Sequence, residues 1–184
     1  MPAILFLHGS AGNFKAYTWV WSAFAEAHGY VIIAPSFGFG AWQRPDGARS
    51  ALRALDDAAQ LVEIDREQVY LAGLSNGGLG VSQLASLAPE RFQSLVFISP
   101  VMDTKIVDQT AFHQVWAECR VLIVTGETDQ RIPLSYVNQR VDRLRRGSVL
   151  VDYVIYPGED HFLFFSQRGA VLNNVAVWLG EIVE

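Results

Sequence analysis

The sequence predicts an α/β protein built around a parallel sheet, and three observations lead to this prediction. Apolar runs of strand length alternate along the chain with segments of helical periodicity. These runs are apolar almost throughout, as in strands that helices cover on both faces. Of the 184 residues, 51% are hydrophobic and only 18% are charged, so the chain can bury a substantial core. No repeat or linker divides it, and we expect one domain over residues 1–184.

Six segments are predicted to form strands, most of them parallel. They cover residues 3–7, 30–34, 68–72, 94–99, 120–125 and 149–156. Apolar side chains recur at helical spacing in four other segments: Leu55, Ala58, Ala59 and Val62; Val81, Leu84, Ala85 and Ala88; Leu134, Val137, Val141 and Leu144; Val171, Val175, Trp178, Leu179 and Ile182. Only about twenty residues separate the fourth and fifth strands, which leaves room for a short helix but not for a cap domain.

The composition argues against several classes of function. The formal net charge is −5 and no run of Lys or Arg occurs, so nucleic acid and anionic lipid are not expected as partners. Cys119 is the only cysteine, which excludes an internal disulfide and a Cys-based metal site. No metal-ligand spacing occurs, so no metal is expected. With neither a leader pattern nor a membrane-spanning apolar run, the expected location is the cytoplasm.

A G-x-S-x-G motif at residues 73–77 indicates nucleophilic chemistry at Ser75. The motif lies directly between a predicted strand and a helical pattern. A serine hydroxyl is a poor nucleophile unless a sharp turn brings it to a base and to oxyanion donors. The glycines on either side remove side chains that would collide in such a turn. The alternative, a helix N-cap, would not explain the acid and histidine loops described next.

Two further predicted strands end beside residues that complete a hydrolytic triad. Asp129 follows the fifth strand and His161 follows the sixth. Because the carboxyl ends of parallel strands lie along one edge of the sheet, these side chains can converge with Ser75. The sequence therefore predicts Ser75 as the nucleophile, His161 as the general base and Asp129 as the acid that orients the histidine.

Other candidates for the acid and the base fit less well. Asp103 follows the fourth strand and is the rival acid, but the loop around Asp129 fits the role better. Asp160 is adjacent to His161 in sequence, so its side chain should point away from the ring. The other histidines stand in the wrong chain order or in positions expected to be structural: His8, His28 and His113.

Small residues after the first strand predict an oxyanion hole. Residues 7–13 read Leu-His-Gly-Ser-Ala-Gly-Asn, and small side chains let backbone N–H groups face a cavity. We assign the oxyanion hole to the backbone N–H groups of Ser10 and Asn76. Losing one such donor typically costs about 3 kcal/mol of transition-state stabilisation.

Four motifs resemble the α/β-hydrolase superfamily and occur in its chain order: the His8-Gly9 turn, the Ser75 turn, the Gly126-x-x-Asp129 loop with Pro133, and the Gly158-x-x-His161 turn. The resemblance runs over nearly the whole chain, which starts at what would be the third strand of that superfamily. It implies a minimal, capless α/β-hydrolase fold, similar to small carboxylesterase-like and dienelactone-hydrolase-like proteins. A serine replaces the cysteine nucleophile of the dienelactone hydrolases.

The resemblance and the residues together predict a carboxylesterase-type serine hydrolase that cleaves small or short-chain esters through an acyl-enzyme. This chemistry requires neither a metal nor an organic cofactor. The same triad would serve a thioesterase, a deacetylase, a lactonase or a small-peptide hydrolase, because it acts on the acyl carbon while side pockets select the rest. A non-catalytic binding module on the same scaffold is the alternative from another class.

Two further expectations concern the pocket and the assembly. Candidate pocket walls, with core packing as the alternative, are Phe37, Trp42, Met102, Trp116 and Phe162. The first strand should lie inside the sheet and the strand near Val31 at its edge. An uncovered edge can pair with another chain, so a homodimer is a further expectation.

Overall fold

A six-stranded, wholly parallel sheet forms the centre of the protein. The computed structural model describes residues 1–10, 12 and 14–183. The strand order across the sheet is β2-β1-β3-β4-β5-β6. The strands are β1 Ala3–Leu7, β2 Val31–Ile33, β3 Val69–Leu74, β4 Ser94–Ile98, β5 Arg120–Gly126 and β6 Leu150–Tyr156. All six predicted strands are confirmed, and no bound differs from its prediction by more than two residues.

Helices cover both faces of this sheet. They are α1 Phe14–His28, α2 Pro45–Leu61, α3 Gly77–Leu87, α4 Thr104–Val107, α5 Thr110–Val115, α6 Leu134–Arg146, α7 Leu163–Ser166 and α8 Arg168–Val183, with a 3₁₀ turn at Pro89–Arg91. Helices α2, α3 and α6 pack on one face, and α1 and α8 pack on the other. Only the short helices α4 and α5 lie between β4 and β5, so no cap domain is inserted there, as predicted.

Successive side chains of β1 point alternately into the two hydrophobic cores, one on each face of the sheet. Leu5 lies in the core beneath α2, α3 and α6. Phe6 lies in the other core, with its ring centroid 5.4 Å from that of Trp21 and 5.8 Å from that of Phe164. Both β1 side chains are completely buried. Since successive strand residues point to opposite faces, one apolar run serves two layers of helices.

β1 lies inside the sheet and β2 at its edge, as the sequence predicts. β2 has only three residues, and among the described strands it pairs with β1 alone. Pairing of two copies of the chain along this edge stays a prediction.

The absence of a side chain at Gly77 lets α3 begin against the backbone of β1. A Cβ atom at this position would overlap the carbonyl oxygen of Leu7. A Cβ atom at Gly73 would in turn lie 2.6 Å from the backbone of Gly77. These close approaches fix the turn between β3 and α3, and therefore the position of Ser75.

Gly77→Ala is expected to lower the free energy of unfolding by about 3 kcal/mol or more, because the overlap involves backbone atoms that cannot rotate away. Gly180→Ala is the matched control, since no described atom lies within 4 Å of a Cβ there. Alanine is favoured over glycine inside a helix by about 0.5 to 1 kcal/mol, so this control should be slightly stabilised. Thermal unfolding compares the two variants, and equal Tm shifts would contradict the close backbone packing described at Gly77.

Candidate active site

Ser75 lies in a sharp turn between β3 and α3 and has a positive φ of 53°. Its N–H donates to the Ile98 carbonyl at 2.9 Å, and its own carbonyl accepts from the N–H groups of Gly78 at 2.9 Å and Val101 at 3.0 Å. A positive φ costs a non-glycine residue about 1 kcal/mol or more and persists only where the surroundings impose it. These hydrogen bonds hold Ser75 at the carboxyl end of the central strands.

His161 connects the other two side chains of the predicted triad. Its Nε2 lies 3.1 Å from Ser75 Oγ, and its Nδ1 lies 2.7 Å from Asp129 Oδ2. An ionised carboxylate only accepts hydrogen bonds, so Nδ1 carries the proton and Nε2 is left to accept from the serine hydroxyl. The structure thus brings together the three residues that the sequence singled out, while their catalytic roles stay predictions.

The carboxylate of Asp129 is fixed on both of its oxygens. Its side chain has no exposed surface. Oδ1 accepts from the backbone N–H groups of Arg131 at 2.9 Å and Ile132 at 2.8 Å, while Oδ2 faces His161. The turn that follows β5 therefore orients the carboxylate toward the imidazole.

The rival carboxylates have other partners. Asp103 Oδ1 accepts from the N–H of Lys105 at 3.0 Å, as an N-cap of α4. Its Oδ2 accepts from Gln83 Nε2 at 2.9 Å. Asp160 accepts from the N–H of Phe162 at 2.8 Å, so it faces its own turn. Asp129 is therefore the acid paired with His161.

The predicted oxyanion donors stand beside Ser75. Ser10 and Asn76 both line the cavity at the serine hydroxyl. Asn76 Nδ2 donates to Ser10 Oγ at 2.6 Å, which joins the two loops that carry them. Within the described part of the chain, neither of their backbone N–H groups donates a hydrogen bond. The role of both groups as oxyanion donors stays a prediction; Ala11 and Asn13 of the same loop lie outside the described residues.

His8 braces the loop that carries Ser10. Its Nε2 accepts from the N–H of Phe37 at 3.0 Å, which leaves Nδ1 to donate to the Gly9 carbonyl at 2.7 Å. Its own carbonyl accepts from Trp42 Nε1 at 2.8 Å. The imidazole is almost completely buried and is fully occupied in holding neighbouring backbone, which agrees with the structural role expected from its position.

A cavity of about 260 Å³ opens at Ser75. Its lining consists of Gly9, Ser10, Tyr17, Leu74, Ser75, Asn76, Val101, Arg131, Ile132, His161, Phe162 and Phe165. Of the five side chains proposed as pocket walls, Phe162 lines this cavity. Its ring is about half exposed, so it forms part of the rim.

The other four proposed pocket walls do not line this cavity. Trp42, Met102 and Trp116 are buried in the core beneath α2, α3 and α6, and Phe37 packs against that core. Each indole N–H finds a backbone carbonyl there, as Trp116 Nε1 does with Ala85 at 3.0 Å. Their large apolar surfaces are therefore used in packing, which is the alternative that the sequence left open for these side chains.

Sequence reasoning missed Tyr17, Phe165 and Arg131 as cavity residues. The ring centroids of Tyr17 and Phe165 lie 5.8 Å apart. Burial raises the pKa of Tyr17, so its hydroxyl stays neutral. Arg131 could have been predicted as a cavity residue, because it comes two residues after the predicted acid.

Two family models match the chain. The model described as the alpha/beta hydrolase fold matches residues 2–118, and that of the prolyl oligopeptidase family matches residues 107–184. The chain belongs to the α/β-hydrolase family. The first match of this hydrolase includes Ser75, and the second includes Asp129 and His161.

Known relatives and solved structures agree with this assignment. Dipeptidyl-peptidase 5 of Porphyromonas gingivalis is 23% identical over 94% of the hydrolase and 32% of its own length, so the chain spans about a third of that relative. Arabidopsis thaliana SOBER1 superposes with a TM-score of 0.76 at 18% identity, covering 100% of this chain and 99% of that one. Est1E from Butyrivibrio proteoclasticus has a TM-score of 0.76 at 17% identity, covering 99% and 88%. At such identities the two structures establish the fold.

The described residues contain neither a candidate metal cluster nor a helix suited to span a membrane. Residues 1–10, 12 and 14–183 contain no group of three or more His, Cys, Asp and Glu side chains that could hold a metal ion. In the same part of the hydrolase, no helix has the length and apolar character needed to cross a membrane.

Proposed function

We propose that this hydrolase cleaves short-chain carboxylic esters, with Ser75 as nucleophile, His161 as general base and Asp129 as the orienting acid. One observation carries the proposal. Ser75 Oγ lies 3.1 Å from His161 Nε2, whose ring is held on its far side by Asp129 at 2.7 Å, and all of this lies beside an open cavity. This is the arrangement that makes a serine hydroxyl a nucleophile.

The proposed sequence of proton transfers follows these contacts. His161 Nε2 takes the proton of Ser75 as Oγ attacks the ester carbonyl carbon, and the Asp129 carboxylate stabilises the resulting imidazolium. The N–H groups of Ser10 and Asn76 bind the developing oxyanion. The imidazolium then protonates the departing alkoxide, which leaves an acyl-serine. Water, deprotonated by the same imidazole, hydrolyses this acyl-enzyme and returns the proton to Ser75.

The size of the cavity supports a small acyl group. Its volume is about 260 Å³, and an aromatic rim formed by Tyr17, Phe162 and Phe165 offers limited apolar contact. We therefore propose a small-molecule ester as substrate. The steps above use side chains and backbone groups alone, so the proposed chemistry calls for neither a metal nor an organic cofactor.

We expect kcat/KM for p-nitrophenyl esters to be highest for acetate or butyrate and to fall for octanoate and palmitate. A long acyl chain would extend beyond the cavity and leave most of its methylene groups in water. Those groups would add no binding free energy. Initial rates over this series, measured below the critical micelle concentration, test the expectation. A maximum at palmitate would contradict it.

Hydrolysis of small peptides is the second candidate. The match of the prolyl oligopeptidase family model to residues 107–184, the segment that contains Asp129 and His161, supports it. Aminoacyl and dipeptidyl p-nitroanilides, compared with the p-nitrophenyl esters, separate the two candidates. Thioesters, acetylated sugars and lactones extend the same comparison to the other acyl-transfer reactions.

A fluorophosphonate probe tests the nucleophile without a substrate. The proposal expects stoichiometric labelling and a modified peptide that contains Ser75. Absence of labelling would instead favour a binding module on the hydrolase scaffold.

A further inference from the structure

Arg131 stands out in the wall of the cavity beside Ser75. Among the described residues that line this cavity, it is the only side chain with a permanent charge. It is exposed and reaches the cavity from the turn that carries Asp129. No described carboxylate forms an ion pair with its guanidinium. The guanidinium thus presents unused hydrogen-bond donors at the place where a substrate would bind.

The neighbouring carboxylates are engaged elsewhere. Asp129 is bound to His161 and to backbone N–H groups, and Asp160 accepts from the backbone of its own turn. Glu127 accepts from the N–H of Gly158 at 2.9 Å. Glu159 accepts from the side chains of residues 166 and 167. Since each of these anions has its own partners, Arg131 is left for an anion from outside the chain.

A stacking contact holds the guanidinium at the rim. The Cζ of Arg131 lies 4.9 Å from the centroid of the Phe162 ring, and both side chains line the cavity. A guanidinium over an aromatic face gains from cation–π attraction and still offers its N–H groups at the edge. Phe162 therefore orients Arg131 before a ligand arrives, which lowers the entropy lost on binding.

We propose that Arg131 binds a free carboxylate of the substrate, so that the preferred substrates are short esters carrying one carboxylate in addition to the ester group. The proposal rests on the ester hydrolysis proposed above and names the substrate class. A carboxylate matches the planar fork of a guanidinium and accepts two parallel hydrogen bonds from it. Such a carboxylate belongs either to the acyl part or to the alcohol part of the ester, and the test distinguishes these sources.

Two matched substrate pairs test the proposal. In the first pair, monomethyl glutarate carries the charge in its acyl part and methyl valerate is neutral. In the second pair, 4-acetoxybenzoate carries the charge in its alcohol part and its methyl ester is neutral. For at least one pair, the ratio of kcat/KM for the charged ester to that for the neutral ester should fall about fivefold to tenfold in Arg131→Gln. Arg131→Lys should keep part of the preference, because it keeps the charge and loses the fork. Unchanged ratios for both pairs would overturn the proposal.

A second arginine provides the charge control. Arg143 is exposed near the end of α6 and does not line the cavity. Arg143→Gln removes the same charge, so it should leave both ratios unchanged. An equal fall in both variants would mean that the preference comes from the net charge of the protein, which also overturns the proposal.

Binding without turnover separates failure of this proposal from failure of the esterase assignment. In Ser75→Ala, NMR titration should detect tighter binding of monomethyl glutarate than of methyl valerate, or of 4-acetoxybenzoate than of its methyl ester. The added Arg131→Gln change should abolish that difference. Such a result would support the carboxylate subsite even if the wild type hydrolysed none of the esters. Equal binding of charged and neutral ligands to Ser75→Ala would reject it.

Discussion

Ser75→Ala is expected to lower kcat for p-nitrophenyl butyrate by about ten-thousandfold or more. The variant keeps the cavity and the oxyanion donors but loses the oxygen that forms the acyl-enzyme. What remains is the modest acceleration that binding and oxyanion stabilisation give to attack by water. The measurement is kcat and KM for wild type and variant, together with loss of fluorophosphonate labelling.

Ser99 offers a control for the strained backbone at Ser75. It follows the neighbouring strand β4, also has a positive φ, of 42°, and is completely buried. Its hydroxyl has no hydrogen-bond partner among the described residues. Ser99→Ala should therefore keep its activity, because it removes a serine from a comparable turn without touching the proposed nucleophile. Equal kcat values for Ser75→Ala and wild type would show that Ser75 is not the nucleophile.

Asp129→Asn is expected to lower kcat by about a thousandfold to ten-thousandfold at neutral pH. The oxygen at the Oδ1 position already accepts two backbone N–H groups, so the amide would place its NH₂ group against His161. That group can only donate, which forces Nδ1 to accept and moves the ring proton to Nε2. The imidazole could then no longer take the proton of Ser75.

Asp103→Asn is the matched comparison for the acid. Asparagine still caps a helix, so the cap that Asp103 provides for α4 should survive. Activity should stay within about twofold of wild type, since surface and capping changes of this kind have small effects. If Asp103→Asn instead caused the larger loss, the assignment of the acid would move from Asp129 to Asp103. Circular dichroism on both variants excludes a folding defect.

The strands and the three side chains at their ends were predictable from the sequence because both depend on local signals. Buried strands appear as apolar runs, and Ser75, Asp129 and His161 each come within a few residues of such a run. In a parallel sheet, residues at strand ends share an edge whatever their separation in the chain. The hydrogen-bonded relay between the three side chains follows from this arrangement.

The cavity walls could not be predicted in the same way, because they depend on how helices and loops pack over that edge. Trp42 and Phe165 are both aromatic, yet Trp42 is buried in the core and Phe165 lines the cavity. Tyr17 contacts the cavity from α1, a helix remote in sequence from the triad loops. Composition and sequence spacing do not indicate whether an aromatic side chain lies in the core or lines the cavity.

The strand order also predicts which parts of the site resist local unfolding most. β3, which directly precedes Ser75, has a hydrogen-bonded strand on each side and is buried throughout, so we expect its amides to exchange only when the whole domain unfolds. β2 is short and lies at the edge of the sheet. It leads into the loop in which the N–H of Phe37 donates to His8. We therefore expect fluctuations that open this edge of the sheet to loosen the loop that carries Ser10 while Ser75 stays in place.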